Sequence, residues 1–434
     1  MKNLFCWLLA VLVATAFAGY AAGDTNLTPV LTLKDALALA LRNHPQVAEA
    51  DYRALAEEEV VKETRAGYFP AANLYGTAVG AADEDTRILA GGLNNPSVLD
   101  RAAGGIQVNQ LITDFGRTAN LAASSRFQAQ AASQNANTTR EQVLLQVDTG
   151  YFVALQAQAV LHVAQQTLDT RQLLLDQVTA LATNKLRSEL DVSFAQVELE
   201  QARLLLQKSR NDAAAAMAAL STALGYHQYH QFQLVEQSPS AGPATNDVSS
   251  LIQIALAGRP DLLSLRSERD AALRYAKAQR DARLPTVAAV GVAGDAPTHD
   301  GRLPDNYLAG GVQLSLPLFA GGLYLARQRE AEMKAQADAE LLRAAEDNVI
   351  RDVRIAWLNV NNAQEQLHTT EQLLNHATES YDLAQARYQT GISSIVELSQ
   401  AQLNLTAAQI ANTNARYDVL IQEANLNYQT GRLL

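Results

Sequence analysis

The sequence has a single cysteine, Cys6, in 434 residues. It lies inside an apolar N-terminal segment, so a chain that loses this segment keeps no thiol. That excludes disulfides and thiol chemistry. Cys6 is not placed as a lipid-bearing cysteine either, since such a residue follows the apolar core and becomes residue 1. After the N-terminal segment no stretch reaches the roughly 18 consecutive apolar residues that a membrane helix needs. A membrane crossing must then use β-strands. Basic residues are few: 34 Lys and Arg stand against 45 Asp and Glu, a net charge of −11, with no basic face. No nucleic-acid partner is expected. Proline is scarce, 11 in all, and absent from 97–238 and 318–434, so little interrupts long helices there. Phosphate loops, serine elbows and paired catalytic carboxylates are missing, so an enzyme is not expected, nor a cofactor. His227 and His230 have a spacing that metal ligands use, but no cysteine or carboxylate pair lies near them, and they read as loop histidines. His44 before Pro45 reads as a helix-entry residue.

What is present begins with a leader. Met1-Lys2-Asn3 precedes the apolar run LFCWLLAVLVATAFA, and Ala16-Phe17-Ala18 and Gly19-Tyr20-Ala21 both offer small-residue cleavage sites. Residues 1–21 are expected to be a secretory signal peptide.

An internal repeat runs through the remainder. TLKDALALALRNHPQVAEA from Thr32 parallels LIQIALAGRPDLLSLRSE from Leu251. Pro45 falls on Pro260 and Pro70 on Pro285 at one offset; Gly225 falls on Gly431 at a shorter one. The first half therefore carries the longer loop, between residues 80 and 108. Val147, Ala154, Leu161, Leu168, Leu175 and Ala182 recur every seven residues, as do Val353, Val360, Leu367, Leu374, Tyr381 and Tyr388. That spacing is a coiled-coil seam. A helix from Thr118 to Ala182 would span roughly 100 Å at about 1.5 Å per residue. Such helices do not fit in a compact globule.

Each half also holds two non-helical stretches. NLYGTAVGA and GGIQVNQL occupy the first half, TVAAVGVAG and YLAGGVQLSLPL the second. In the last, Leu308, Val312, Leu314 and Leu316 alternate with Ala309, Gly311, Gln313 and Ser315. The period of two suits a strand between lipid and a watery lumen; a soluble hairpin packed on a helix is the other reading. The connections GAADEDTRILAGGLNNPSVLDRAA and DAPTHDGRLPDN read as exposed turns, and the charges of Asp83, Glu84 and Asp85 as solvated. Residues 81–103 are expected to face the exterior. Four strands cannot close a barrel, and an open edge is not tolerated in lipid. Copies must therefore combine, and three would supply twelve strands. The domain organisation is signal peptide 1–21, first repeat 22–235, linker 236–250 and second repeat 251–434. The strand pairs fall at about 70–113 and 285–317, the long helical hairpins at about 116–224 and 323–430.

The helical turns repeat as well. RYQTGISSIVELSQAQLNL from Arg387 turns at Gly391. TNKLRSELDVSFAQVELEQAR from Thr183 matches it with Lys185 in place of Gly391 and Asp191 in place of Glu397. The first turn lacks its glycine, and Asn184 is expected to take the left-handed conformation instead.

These segments carry a resemblance. LTLKDALALALRNHPQV, with its break at Asn43-His44-Pro45, and the joints VNQLITDFGRTANLAAS and VQLSLPLFAGGLYLARQ resemble the TolC-like outer-membrane efflux proteins. Phe115-Gly116-Arg117 and Phe319-Ala320-Gly321-Gly322 carry the joints, and RYQTGISSIVELSQAQLNL resembles the family's helical tip. The resemblance implies a fold that is mainly α with membrane β. Long antiparallel coiled-coil helices would form an α-barrel continuous with a trimeric twelve-strand β-barrel, four strands per protomer. It implies a homotrimer in outer-membrane lipid of a Gram-negative-type bacterium, extending into the periplasm. The implied function is the exit duct of an efflux or type I secretion system, docking a periplasmic adaptor and an inner-membrane transporter. At the implied periplasmic aperture Glu397 holds the first ring position and Gln400 the second. Tyr388 is the latch tyrosine, Asp191 its acceptor, and Ser393 stands where the family's latch arginine would be. A soluble periplasmic coiled-coil adaptor or scaffold is the competing reading. Such a protein normally has one helical hairpin and compact β modules.

Overall fold

The computed structural model describes residues 29–79, 88–90, 93–95, 101–236, 247–298 and 304–433. The expected signal peptide, Asp83 to Asp85, and most of both the 81–103 loop and the 236–250 linker lie outside the described residues. In chain order the elements are β1 (Val30–Leu31), α1 (Leu33–Asn43), α2 (Pro45–Ala66), β2 (Ala71–Val79), β3 (Ile88–Ala90), β4 (Leu93–Asn95), β5 (Arg101–Thr113), α3 (Arg117–Thr183) and α4 (Glu189–Ala223). Then follow β6 (Gln233–Leu234), α5 (Val248–Gly258), α6 (Pro260–Asp281), β7 (Thr286–Thr298), β8 (Asn306–Ser315), α7 (Leu323–Gln389) and α8 (Ile395–Gln429).

Helix lengths recur in order: 11 residues in α1 and α5, 22 in α2 and α6, 67 in α3 and α7, 35 in α4 and α8. Local chemistry sets their ends. Thr32 Oγ1 accepts from Asp35 N–H at 3.2 Å, capping α1. His44 starts α2, its Nδ1 accepting from Gln46 N–H at 3.3 Å, and Pro45 supplies the fixed φ of a first helical residue. Asp114 caps α3, its Oδ2 accepting from Thr118 N–H at 2.7 Å.

The seven-residue seam is only part of the packing. On α7, Val353, Val360 and Tyr388 are buried, and so is a second ladder of small residues, Ala356, Ala363, Thr370, Ala377 and Ala384. Small side chains at this ladder let the neighbouring helices come close. Each fully buried Val or Leu adds about 1.5–3 kcal/mol, and forcing a larger side chain into the ladder would cost about 1–3 kcal/mol. Midway along α3, Val147, Tyr151, Phe152 and Leu155 pack against Leu220 of α4, Leu224 just past its end, and Ala36 and Ala40 of α1. Here β1 and β6 form a parallel pair. The Tyr151 hydroxyl lies 2.9 Å from the Leu31 carbonyl and accepts from Val235 N–H at 3.0 Å, tying both segments to α3. Two acids are buried on the same helix. Burial pushes Glu141 up to about 7, with Arg259 opposing, and pushes Asp148 up to about 6. Arg259 also anchors the end of α8: its Nη1 donates to the Gln429 carbonyl at 3.2 Å and to Gln429 Oε1 at 2.7 Å.

At one end of the helices lies an antiparallel sheet of order β2-β5-β7-β8. Leu74, Ile106, Ala293 and Leu308 stand in one cross-strand row, and Asn73, Gln107, Val292 and Ala309 in the next. Neighbouring rows point to opposite faces. One face thus carries Leu74, Ile106, Val108, Leu308, Val312 and Leu314, the other Asn73, Gln107, Asn109, Gln313 and Ser315. The apolar face is uncovered: Leu308, Val312 and Leu314 are 86%, 70% and 66% exposed. Phe69, Phe115, Leu318 and Phe319 are exposed at the sheet–helix joints. No described helix is long and apolar enough to cross a membrane. Two readings need correction. Residues Asp295 to Thr298, read as turn, continue β7, because Asp295 still pairs with Asn306 across the ladder. Residues Arg101 to Ala103, read as loop, begin β5, because they face Thr77 to Val79. Hydrogen bonding to a neighbouring strand outweighs local turn propensity in both places.

Candidate functional site

The helices end, away from the sheet, in two tips: α3 turns into α4, and α7 into α8. Each has five residues between its helices. Both turns share one closing hydrogen bond. Leu186 N–H donates to the Leu181 carbonyl and Ile392 N–H to the Arg387 carbonyl, each at 2.9 Å. That bond closes a helix through one left-handed residue. Gly391 fills the position with φ 77°, and Lys185 fills it with φ 61°. The expected role of Asn184 is therefore corrected: its φ is −86°, and its side-chain amide donates to the Ala180 carbonyl at 2.8 Å. The reason is register. The bond to Leu181 requires the residue just before Leu186 to be left-handed, whatever its side chain.

Each tip then restarts with a serine cap. Ser188 and Asp191 form a reciprocal capping box on α4. Ser394 caps α8, accepting from Glu397 N–H at 3.4 Å. A shared core joins the tips: Leu174 and Val178 of α3 and Ala195 of α4 pack with Ala384 and Tyr388 of α7 and Ile395, Leu398 and Ala401 of α8.

The site residues read from the sequence fall as follows. Glu397 is exposed and lies 3.3 Å from Arg387 Nε of its own tip. Gln400 is on the next turn, donating to Asn404 Oδ1 at 3.0 Å. Tyr388 is 6% exposed, and its hydroxyl has no hydrogen-bond partner among the described residues. A bond from that hydroxyl to Asp191 is thus not made within the protomer. Burial pushes the Tyr388 phenol up, Arg187 lowers it and Asp191 raises it further. Ser393 is buried, and its Oγ also lacks a partner among the described residues.

Three arginines at this end escaped the sequence reading. Arg187, in the first turn, places its guanidinium 4.5 Å from the centre of the Tyr388 ring, and its Nη2 donates to the Tyr388 carbonyl at 3.2 Å. Its signal was its place in the repeat, opposite Ser393. Arg387 pairs with Glu397 as described. Arg171, 3% exposed, is paired with Glu198 at 2.8 Å, and its Nη1 has no partner among the described residues. Burial lowers its guanidinium, and Glu198 opposes this. Its signal was a charge between Ala164 and Val178 on the seven-residue ladder, where the second half has Ala377. The described residues contain no group of histidines and carboxylates placed to hold a metal; His230 Nδ1 lies 2.8 Å from the Gln228 carbonyl and its ring packs on Tyr226.

A bundle of long helices with a two-faced sheet at one end and matched turns at the other has known counterparts. The chain superposes on a membrane protein from Pseudomonas aeruginosa with a TM-score of 0.78, at 22% identity and with 92% and 93% of the two chains covered. It is 24% identical to the outer membrane protein TolC of Escherichia coli over 98% of this chain and 86% of that protein. It is 25% identical to the alkaline protease secretion protein AprF of Pseudomonas aeruginosa over 100% of this chain and 89% of that one. The outer membrane efflux protein profile matches residues 36–226 and 251–432; the chain belongs to the outer membrane efflux protein family.

Proposed function

We propose that this protein is the outer-membrane channel and exit duct of a tripartite efflux or type I secretion system. The sheet carries this reading. Its apolar face is uncovered, and β2 and β8, its outer strands, have no further partner among the described residues. Such edges cannot stay open in lipid. Three protomers would join β8 of one copy to β2 of the next in a twelve-strand barrel, apolar outside and lined by Asn73, Gln107, Asn109 and Gln313. The exposed Phe69, Phe115 and Phe319 suit the aromatic girdle at the periplasmic lipid boundary. The repeats 22–235 and 251–434 would each supply one strand pair and one helical hairpin, and residues 81–103 would lie outside the cell.

The helices would continue the barrel as a tunnel to a mouth formed by six tips. Glu397 would ring this mouth, with Gln400 uncharged on the next turn, and Tyr388, Asp191 and Ser393 would lie at the contacts that hold it shut. The chain would act as a conduit rather than an enzyme, docking a periplasmic adaptor and an inner-membrane transporter that selects the cargo. Membrane fractionation tests the reading. The protein should sediment with the outer membrane, and a protease site inserted at Asn94 should be cut on intact cells. Recovery in the soluble periplasmic fraction would instead support the adaptor reading.

A further inference from the structure

We propose that Arg187 is a positioning residue of the closed mouth, clasping Tyr388 from the other tip of the same protomer. The inference rests on the reading of the tips as the mouth. Three observations lead to it. The guanidinium of Arg187 lies 4.5 Å from the Tyr388 ring centre and donates to the Tyr388 carbonyl at 3.2 Å. The Tyr388 hydroxyl has no partner among the described residues, so the ring and the backbone carry the contact. Asp191, whose charge acts on that phenol, closes the capping box with Ser188 instead.

The repeat explains where this arginine comes from. When Lys185 is laid on Gly391, Arg187 falls on Ser393. The second tip has a short hydroxyl there, buried and without a partner. The cation for the second tip's tyrosine is thus supplied by the first tip. The two groups sit at the ends of different hairpins. Any movement of α7 and α8 away from α3 and α4 at the mouth separates the guanidinium from both ring and carbonyl. A planar guanidinium suits this pairing, because it can lie on an aromatic face while its N–H groups point to an acceptor. Arg387, the second tip's own arginine, is held by Glu397 at 3.3 Å.

Single-channel recording in planar bilayers tests the clasp, on variants that extract at the wild-type oligomeric size. Arg187→Ala should raise the basal open fraction roughly tenfold, the scale of one partly desolvated cation–aromatic contact. Arg187→Lys, which keeps the cation but not the fork, should fall between Arg187→Ala and wild type. Tyr388→Leu should match Arg187→Ala and exceed Tyr388→Phe, and the double variant Arg187→Ala/Tyr388→Leu should open no further than either single change. Glu397→Gln is recorded in parallel across a salt gradient. If its reversal potential moves while Arg187→Ala stays as closed as wild type, the clasp is wrong and the mouth is correctly placed. If Tyr388→Phe opens as fully as Tyr388→Leu, the hydroxyl rather than the ring holds the tip, and the clasp is again overturned. If neither Glu397→Gln nor Arg187→Ala changes anything, the tips do not form the mouth, and both ideas fall.

Discussion

The first tip makes its left-handed turn with Lys185 at φ 61°, the second with Gly391 at φ 77°. Both close the same bond and restart with a serine cap, so the backbone is shared while the side chains divide the work. The first tip contributes Arg187 and the capping acid Asp191; the second contributes Tyr388 and the Arg387–Glu397 pair. Further up, α3 buries Arg171, Glu141 and Asp148, where the matching positions of α7 hold a buried Ala377 and the exposed Asp347 and Arg354. Two hairpins of equal length thus differ in electrostatics. The first carries buried charge that needs partners, and the second is packed mainly by small apolar side chains.

The sharpest way to break this comparison is at Arg171. Glu198→Ala should leave that arginine buried without its counter-charge and cost about 3–5 kcal/mol. Asn404→Ala, the matching change in the second hairpin, should stay within about 0.5 kcal/mol. Guanidinium unfolding of detergent-solubilised protein, followed by circular dichroism, separates the two; equal effects would mean that Arg171 is solvated.

The buried acids give a pH signature. An unfolded glutamate titrates near about 4.3, whereas folded Glu141 is pushed up to about 7. Between these values the folded state keeps a proton that the unfolded state has lost. Stability therefore falls as pH rises through this window and levels off above it. Glu141→Gln should flatten the slope and stabilise the protein at pH near 8 by up to about 3 kcal/mol. Unfolding midpoints recorded from pH about 5 to about 8 decide it.

Smaller effects belong to the turns. Lys185→Gly should stabilise the first tip by about 1 kcal/mol, since it relieves a left-handed residue, and Gly391→Lys should destabilise the second by a similar amount. Hydrogen exchange at Leu186 and Ile392 N–H reads each tip separately. The Arg387–Glu397 pair is exposed and adds at most about 1 kcal/mol to stability. Its electrical effect should be plainer: Arg387→Gln should raise the cation preference of the channel, Glu397→Gln should lower it, and both shifts should shrink in high salt.

Much of the fold was legible because the repeat carries it. The seven-residue seam, the proline-free spans and the paired prolines at Pro45 and Pro260 mark the helices. The alternation around Val312 and Leu314 marks a strand with one apolar face. Pairing was less legible: Asp295 to Thr298 look like a turn until Asn306 lies opposite, and β1 with β6 is two residues long on each side. At the tips, the left-handed turn at Gly391 could be read by position. Arg187 could not, because its partner lies on the other hairpin, about two hundred residues away in sequence. The Lys185 conformation was hidden for a related reason. Propensity favours Asn184 for a left-handed residue, but the bond from Leu186 to Leu181 fixes which residue must turn.

Electron-microscope imaging of detergent-extracted protein tests the assembly most directly. Particles with threefold symmetry are expected, with a barrel at one end and a hollow helical stalk of roughly 100 Å. Single-copy particles, or assemblies without threefold symmetry or without the stalk, would contradict it.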